Sequence, residues 1–171
     1  MLSIKNKSFS VTTEVDVPDG GAEGVIIAQG GRFGGWAVYA KDGRAKFTYN
    51  VLGIHEYPTA ADTPIPAGTH QVRMEFAYDG GGLAKGGNVT LYYDGAAVGT
   101  GRVEQTQPMV FSADETTDIG CETGTTVTPD YTAQGSRFTG KINWVQIDLG
   151  SDDHDHFIDP EERVRVAMAR Q

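Results

Sequence analysis

The chain has 171 residues, of which 39% are hydrophobic and 22% charged, a balance typical of a folded globular domain rather than a disordered one. Its 23 acidic residues outnumber 14 basic ones and give a net charge of −9, which disfavours nucleic acids and anionic membrane surfaces as partners. Cys121 is the only cysteine, so an intrachain disulfide and a thiol-based zinc site are excluded, while the cellular compartment stays open.

The first half of the chain alternates between apolar and polar residues in short segments. In SFSVTTEVDV the apolar residues Phe9, Val11 and Val15 alternate with polar ones, which predicts a half-buried strand with its polar face towards solvent. GVIIA, WAVYA and KFTYNVL follow, each short and rich in β-branched or aromatic residues. The Asp42-Gly43 pair between the last two predicts a two-residue hairpin turn.

The second half continues this pattern of short strands. THQVRMEFAYDG predicts a strand in which either Val72, Met74, Phe76 and Tyr78 or the opposite set of residues marks one face. Asp94-Gly95 predicts another hairpin. RFTGKINWVQIDL has apolar residues of both parities, which either a bulge or burial of both faces would explain. The polar, glycine-punctuated segment 112–136 predicts a loop with at most one short strand.

Only the C-terminal segment predicts a helix. Asp159 is a suitable N-cap, Pro160 suits the first helical position, and Val164 and Met168 share a face. The fold class is therefore predicted as all-β: an antiparallel β-sandwich over residues 1–151, built from eight or more strands. Residues 152–171 are predicted to form an acidic linker and a short C-terminal α-helix, packed on the sandwich or on a partner.

The glycine-rich stretch QGGRFGG lies between two predicted strands. A phosphate-binding loop leads into a helix, whose free N–H groups and dipole hold the anion. The stretch is instead followed by the strand-like WAVYAKDG, and its spacing matches neither G-x-G-x-x-G nor G-x-x-x-x-G-K. We therefore predict that its glycines supply positive φ angles and close backbone passage in a turn.

Several long stretches resemble the C-terminal region of bacterial arylsulfatases. They include GAEGVIIAQGGRFGGWAVYAKDG, GTHQVRMEFAYDGGG, FSADETTDIG, FTGKINWVQIDLG and the tail DDHDHFIDPEERVRVAMARQ, and together they run from about Lys7 to Gln171. The resemblance implies a concanavalin-A-like or laminin-G-like jelly-roll sandwich that follows a catalytic domain. It also implies that the partner is a sulfatase catalytic domain or another subunit.

The nucleophile motif of sulfatases, C/S-x-P-x-R, is absent from this chain. None of its 7 prolines has Cys or Ser two residues earlier, and Cys121 stands in GCETG. The resemblance therefore implies a non-catalytic accessory domain of an arylsulfatase-like enzyme, which supports stability, assembly or substrate presentation. No catalytic residue is carried over.

Two acidic segments are candidate metal sites. Asp153, His154, Asp155 and His156 could bind a divalent metal such as zinc, and the alternative is a solvated acidic linker ahead of the helix. Oxygen-rich loops could also hold calcium. The candidate ligands are Asp114, Glu115, Asp118 and Asp130, and the alternative is an acidic loop that is simply hydrated.

Two further functions remain as alternatives. Seven aromatic residues could form a sugar-stacking platform and make the chain a carbohydrate-binding module, which calcium could assist, although aromatics on strands are more often core residues. They are Trp36, Tyr39, Tyr49, Tyr57, Tyr92, Tyr93 and Trp144. Glu14 and Asp16, with Asp19 beyond them, resemble the paired carboxylates of small retaining glycoside hydrolases, whose alternative is a polar strand face.

Overall fold

The computed structural model describes residues 3–108, 111 and 116–150, which form ten β-strands. The strands are β1 Phe9–Val17, β2 Gly24–Gly31, β3 Gly34–Lys41, β4 Arg44–Val51, β5 His55–Ala60, β6 Gly68–Tyr78, β7 Gly87–Tyr93, β8 Ala96–Val103, β9 Thr117–Ile119 and β10 Lys141–Leu149. No helix suited to crossing a membrane occurs in this part of the chain. The predicted C-terminal helix and the linker before it lie outside the described residues.

The strands form two five-stranded sheets in which neighbouring strands are antiparallel. Sheet A has the order β10-β1-β6-β7-β8, and sheet B has the order β5-β4-β3-β2-β9. The inner faces of the two sheets bury one continuous hydrophobic core between them. The predicted antiparallel β-sandwich is therefore confirmed.

The core is built from alternate residues of each strand. Trp36 on β3 crosses the gap between the sheets, with its ring centroid 5.4 Å from that of Phe9 and 6.5 Å from that of Phe47. On β6, Met74 and Phe76 are buried in the same core, and Tyr78 packs against it. Of the two sets of alternate residues predicted for this strand, the one that includes Met74 and Phe76 faces the core, because side chains two residues apart point to the same side of a strand.

Both predicted Asp-Gly hairpins are present. Asp42 and Gly43 have φ angles of 52° and 73°, and Asp94 and Gly95 have φ angles of 49° and 84°. Two central residues with positive φ define the turn that matches the natural twist of paired strands, and Asp and Gly tolerate this conformation best.

A bulge explains the mixed pattern of β10. Glu14 of β1 pairs with Trp144, whereas the next residue, Val15, pairs with Ile142, so that Asn143 is the extra residue. Ile142 and Val145 consequently both pack against the core, and Trp144 lies on the outer face of sheet A.

The glycine-rich stretch forms the hairpin between β2 and β3 and leads into a strand, as predicted. Arg32 and Phe33 occupy the turn without positive φ angles, whereas Gly30 and Gly34 beside it have φ angles of 94° and 136°. A Cβ atom on Gly30 would stand 2.3 Å from the carbonyl oxygen of Gly34. These glycines therefore allow the turn to close and present Arg32 and Phe33 at its tip.

The prediction that the polar face of β1 contacts solvent is wrong at Ser10 and Thr12. Both side chains are buried on the outer face of sheet A. One reason is that the long side chain of Arg73, on the neighbouring strand β6, lies over Thr12 and donates a hydrogen bond of 2.5 Å from Nη1 to its Oγ1.

Candidate functional site

One end of sheet B carries a pocket of about 470 Å³. It lies where the β2–β3 turn and the β4–β5 turn meet the long loop that connects β9 to β10. We call it the hairpin-end pocket, and its lining consists of Arg32, Asn50, Gly53, Glu56 and residues 125–129. Its volume falls within the range of roughly 300–1,000 Å³ that is usual for pockets that bind small ligands.

Asn50, a buried residue near the end of β4, joins the three segments that form the pocket. Its Nδ2 donates hydrogen bonds to the carbonyl oxygens of Arg32, at 3.1 Å, and Val127, at 2.7 Å. Its Oδ1 accepts a hydrogen bond of 2.8 Å from the backbone N–H of Gly53. One amide thus satisfies backbone groups on both turns and on the loop and ties the three segments together at the pocket.

Two side chains of opposite charge line the pocket. The guanidinium of Arg32 is exposed and makes no ion pair with any described residue, while the backbone N–H of Arg32 donates to Thr125 Oγ1 at 3.1 Å. The exposed carboxylate of Glu56 accepts a hydrogen bond of 3.1 Å from Thr128 Oγ1. The pocket thus offers donors from one side and acceptors from another to a polar ligand.

Exposed apolar side chains stand beside these polar groups. Phe33, Leu52 and Ile54 are 63%, 54% and 71% exposed, although large hydrophobic residues are usually buried. Phe33 neighbours Arg32 on its turn, and Leu52 and Ile54 flank Gly53. A Cβ atom on Gly53 would lie 3.8 Å from Phe33 Cδ1, so the two turns touch. Phe33, Leu52 and Ile54 therefore lie next to lining residues of the pocket without being part of its lining.

Glu122 fixes the loop that forms the pocket wall. Its Oε1 accepts a hydrogen bond of 3.0 Å from the backbone N–H of Val127, and its Oε2 accepts one of 2.6 Å from the hydroxyl of Tyr131. Burial in this position raises the pKa of Glu122 to about 7. The wall therefore depends on a carboxyl group that titrates near neutral pH.

Asp130 anchors the same loop to the outer face of sheet B. Its Oδ2 lies 2.5 Å from Lys46 Nζ and accepts a hydrogen bond, also of 2.5 Å, from the hydroxyl of Tyr39. Although burial alone would raise the pKa of Asp130, the hydrogen bonds from Lys46 and Tyr39 lower it below its usual value. The carboxylate is therefore ionised and paired, which holds the loop against β3 and β4.

The candidate metal ligands have separate places in the fold. Asp118 on β9 accepts hydrogen bonds from the backbone N–H and the hydroxyl of Thr123, and Asp130 pairs with Lys46. No group of three or more potential metal ligands comes together within residues 3–108, 111 and 116–150. Asp114, Glu115 and the segment 153–156 lie outside the described residues, so both metal sites remain predictions.

Glu14 and Asp16 lie side by side on the outer face of sheet A. Asn143 donates from Nδ2 to both carboxylates, at 3.1 and 3.2 Å, and Thr69 donates to Asp16 at 2.7 Å. The hydrogen bonds from Thr69 and Asn143 lower the pKa of Asp16, whereas a general acid of a glycosidase needs a raised pKa. This arrangement favours the polar strand face over an acid pair.

The aromatic residue at the pocket was not among those singled out from the sequence. Trp36, Tyr39 and Tyr49 are buried, as residues on alternating strands usually are. Phe33 is exposed because it occupies a two-residue turn, where no neighbouring strand covers it. Its position between pairs of glycines in GGRFGG is the sequence signal that could have identified it.

Comparisons with known proteins show the fold alone. No family model and no curated protein matches the chain. The botulinum neurotoxin serotype C1 binding domain is similar over 96% of this chain and 37% of that one, at 16% identity and a TM-score of 0.55. A heptameric SAP-like pentraxin from Limulus polyphemus is similar over 86% of this chain and 66% of that one, at 18% identity and a TM-score of 0.51.

A third similar structure is the CBM40 module of the Ruminococcus gnavus IT-sialidase, bound to α2,3-sialyllactose. It matches 95% of this chain and 83% of that one, at 14% identity and a TM-score of 0.52. The chain thus spans less than two thirds of the toxin domain and about two thirds of the pentraxin. The three structures support a jelly-roll β-sandwich fold, and none of them is an arylsulfatase.

Proposed function

We propose that this chain is a non-catalytic carbohydrate-binding domain and that the hairpin-end pocket is its ligand site. The observation that carries the proposal is the exposed ring of Phe33 beside a polar pocket. Sugars present hydroxyl groups at their edges and C–H groups on their faces. A pocket with donors, acceptors and an adjoining apolar surface matches both.

Each group of the pocket has a role in this proposal. Arg32 donates hydrogen bonds to ring or hydroxyl oxygens, and Glu56 accepts hydrogen bonds from hydroxyl groups. Phe33 packs against the C–H face of the sugar, and Leu52 and Ile54 extend the apolar surface. An acidic sugar would place its carboxylate against Arg32, because that guanidinium has no ion-pair partner among the described residues.

The similar structures support a sugar ligand in one respect. The CBM40 module shares the sandwich fold and was solved with α2,3-sialyllactose. A screen should therefore contain sialylated as well as neutral glycans, each with calcium and with a chelator. Glycan binding that occurs with calcium and is lost with the chelator would support the calcium site predicted at Asp114 and Asp118.

The arylsulfatase connection is a separate proposal that rests on the sequence resemblance. We propose that the domain serves an arylsulfatase-like enzyme as an accessory domain and supports its stability, its assembly or the presentation of its substrate. The reading frame immediately upstream tests this: an in-frame C/S-x-P-x-R motif would support it, and a stop codon with a promoter would contradict it. Failure of this test would leave the sugar-binding proposal intact.

We expect Arg32→Ala and Phe33→Ala each to weaken the binding of the best array glycan by about tenfold or more, which corresponds to ~1.4 kcal/mol. Neither change removes the backbone hydrogen bonds that Arg32 makes with Thr125 and Asn50. Leu83→Ala is the matched control, because Leu83 is similarly exposed but lies between β6 and β7, outside the two turns and the loop that form the pocket. Isothermal titration calorimetry measures all three affinities. An array without any bound glycan, or equal affinities for all three variants and the parent, would contradict the proposal.

A further inference from the structure

The central part of the outer face of sheet A is buried, although none of the ten strands lies over it. Alternate residues of β1, β6, β7 and β10 point away from the core onto this face. Arg73 and Trp144 there are only 2% and 9% exposed, and Ser10, Thr12 and Tyr92 are buried too. The outer face of an antiparallel sheet usually contacts water, so this burial needs a covering layer.

The chemistry of the face indicates what kind of layer would fit. Arg73 donates from Nε to Glu75 at 2.9 Å, and the hydroxyl of Tyr92 donates to the other oxygen of Glu75 at 3.0 Å. The ring of Trp144 adds apolar surface on β10, the edge strand next to β1. The hydroxyl oxygen of Ser10 is buried and has no hydrogen-bond partner among the described residues. A covering segment should therefore carry both apolar side chains and polar groups.

The segment 151–171 begins at one edge of sheet A and is long enough to reach across the outer face of that sheet. It follows Gly150, whose N–H donates to the carbonyl oxygen of Ser8 at 2.8 Å at the end of β10, an edge strand of sheet A. A helix of twelve residues is ~18 Å long. Five strands at ~4.8 Å spacing span ~19 Å, so such a helix would cross the sheet once.

The composition of the segment also complements the face. Val164, Ala167 and Met168 form an apolar strip at helical spacing, and Asp152, Asp153 and Asp155 add polar groups. We propose that residues 151–171 pack across the outer face of sheet A and cover Arg73, Tyr92 and Trp144. This inference does not depend on the sugar-binding proposal, but a covered sheet face would leave the hairpin-end pocket as the accessible site.

The full chain provides the test, with the double variant Val164→Asp, Met168→Asp. Acrylamide quenching of tryptophan fluorescence should rise by about threefold, because Trp144 becomes accessible while Trp36 stays in the core. In a Trp144→Phe background the same double variant should leave quenching unchanged. Far-UV circular dichroism checks that the sandwich remains folded.

A photo-crosslinker in place of Met168 gives an independent readout in the otherwise unaltered chain. We expect intramolecular crosslinks to peptides that contain Arg73, Tyr92 or Trp144. Unchanged quenching in the double variant, or crosslinks only to sheet B or to a second copy of the chain, would overturn the proposal. Neither result would bear on sugar binding at the hairpin-end pocket.

Discussion

Trp36→Ala is expected to lower the free energy of unfolding by about 3–5 kcal/mol, the usual cost of truncating a large buried aromatic residue. Trp36 is completely buried, its ring contacts Phe9 and Phe47, and its Nε1 donates a hydrogen bond of 3.0 Å to Gln29 Oε1. The substitution leaves a cavity between the two sheets and removes the donor for Gln29. Denaturation by urea, followed by circular dichroism, measures the change.

Phe33→Ala is the control for this prediction. Phe33 lies close to Trp36 in sequence but is 63% exposed, so its truncation should change the free energy of unfolding by less than about 0.5 kcal/mol. Equal destabilisation by the two variants would contradict the assignment of Trp36 to the core and of Phe33 to the surface. A domain of this size has a net stability of about 5–15 kcal/mol, so Trp36→Ala should be close to unfolding.

The chain should lose stability as the pH rises from about 5 to 8, and Glu122 should be a principal cause. Burial raises the pKa of Glu122 from 4.5 to about 7 in the folded state. Between these values the folded state keeps a proton that the unfolded state has released, so raising the pH favours unfolding. The total loss in the free energy of unfolding is about 3 kcal/mol, and it is complete once the pH is above the folded-state pKa of Glu122.

Glu122→Gln should remove most of this dependence, because its amide oxygen can still accept from Val127 and carries no charge. Urea midpoints of both proteins at pH 5 and pH 8 give the comparison. His70 adds a smaller slope of the same sign, since its hydrogen bond to Asp94 raises the pKa of His70 and this stabilisation is lost at high pH. The difference in pH dependence between the parent and Glu122→Gln therefore reports the contribution of Glu122 alone. Parallel changes of the two urea midpoints with pH would contradict the role of Glu122.

Local patterns in the sequence predicted most of the fold. The alternation in β1 and β6 and the two Asp-Gly pairs depend on residues close together in the chain, and the strands and hairpin turns that they predicted are present. The choice between a bulge and two-sided burial in β10 depended on its pairing with β1, which lies more than a hundred residues away. Such long-range pairing cannot be read from periodicity.

The candidate site could be predicted only in part. The glycine stretch correctly predicted a turn, but the meeting of that turn with Gly53 and Val127 depends on Asn50, whose sequence neighbours do not reveal its partners. Glu122 likewise appears as one acid in a polar segment, although it is buried. The outer face of β1 was misjudged for a related reason: alternation distinguishes two faces of a strand and does not show whether the second is covered.

An NMR titration of the ¹⁵N-labelled chain with the best glycan from the array tests the central claim most directly. If the hairpin-end pocket is the ligand site, the largest amide shifts will cluster at residues 31–34, 50–56 and 125–129, and the Asp42-Gly43 turn at the opposite end will stay unchanged. Shifts centred on the outer face of sheet A, or at the Asp42-Gly43 end, would contradict the claim. So would the absence of shifts at millimolar glycan.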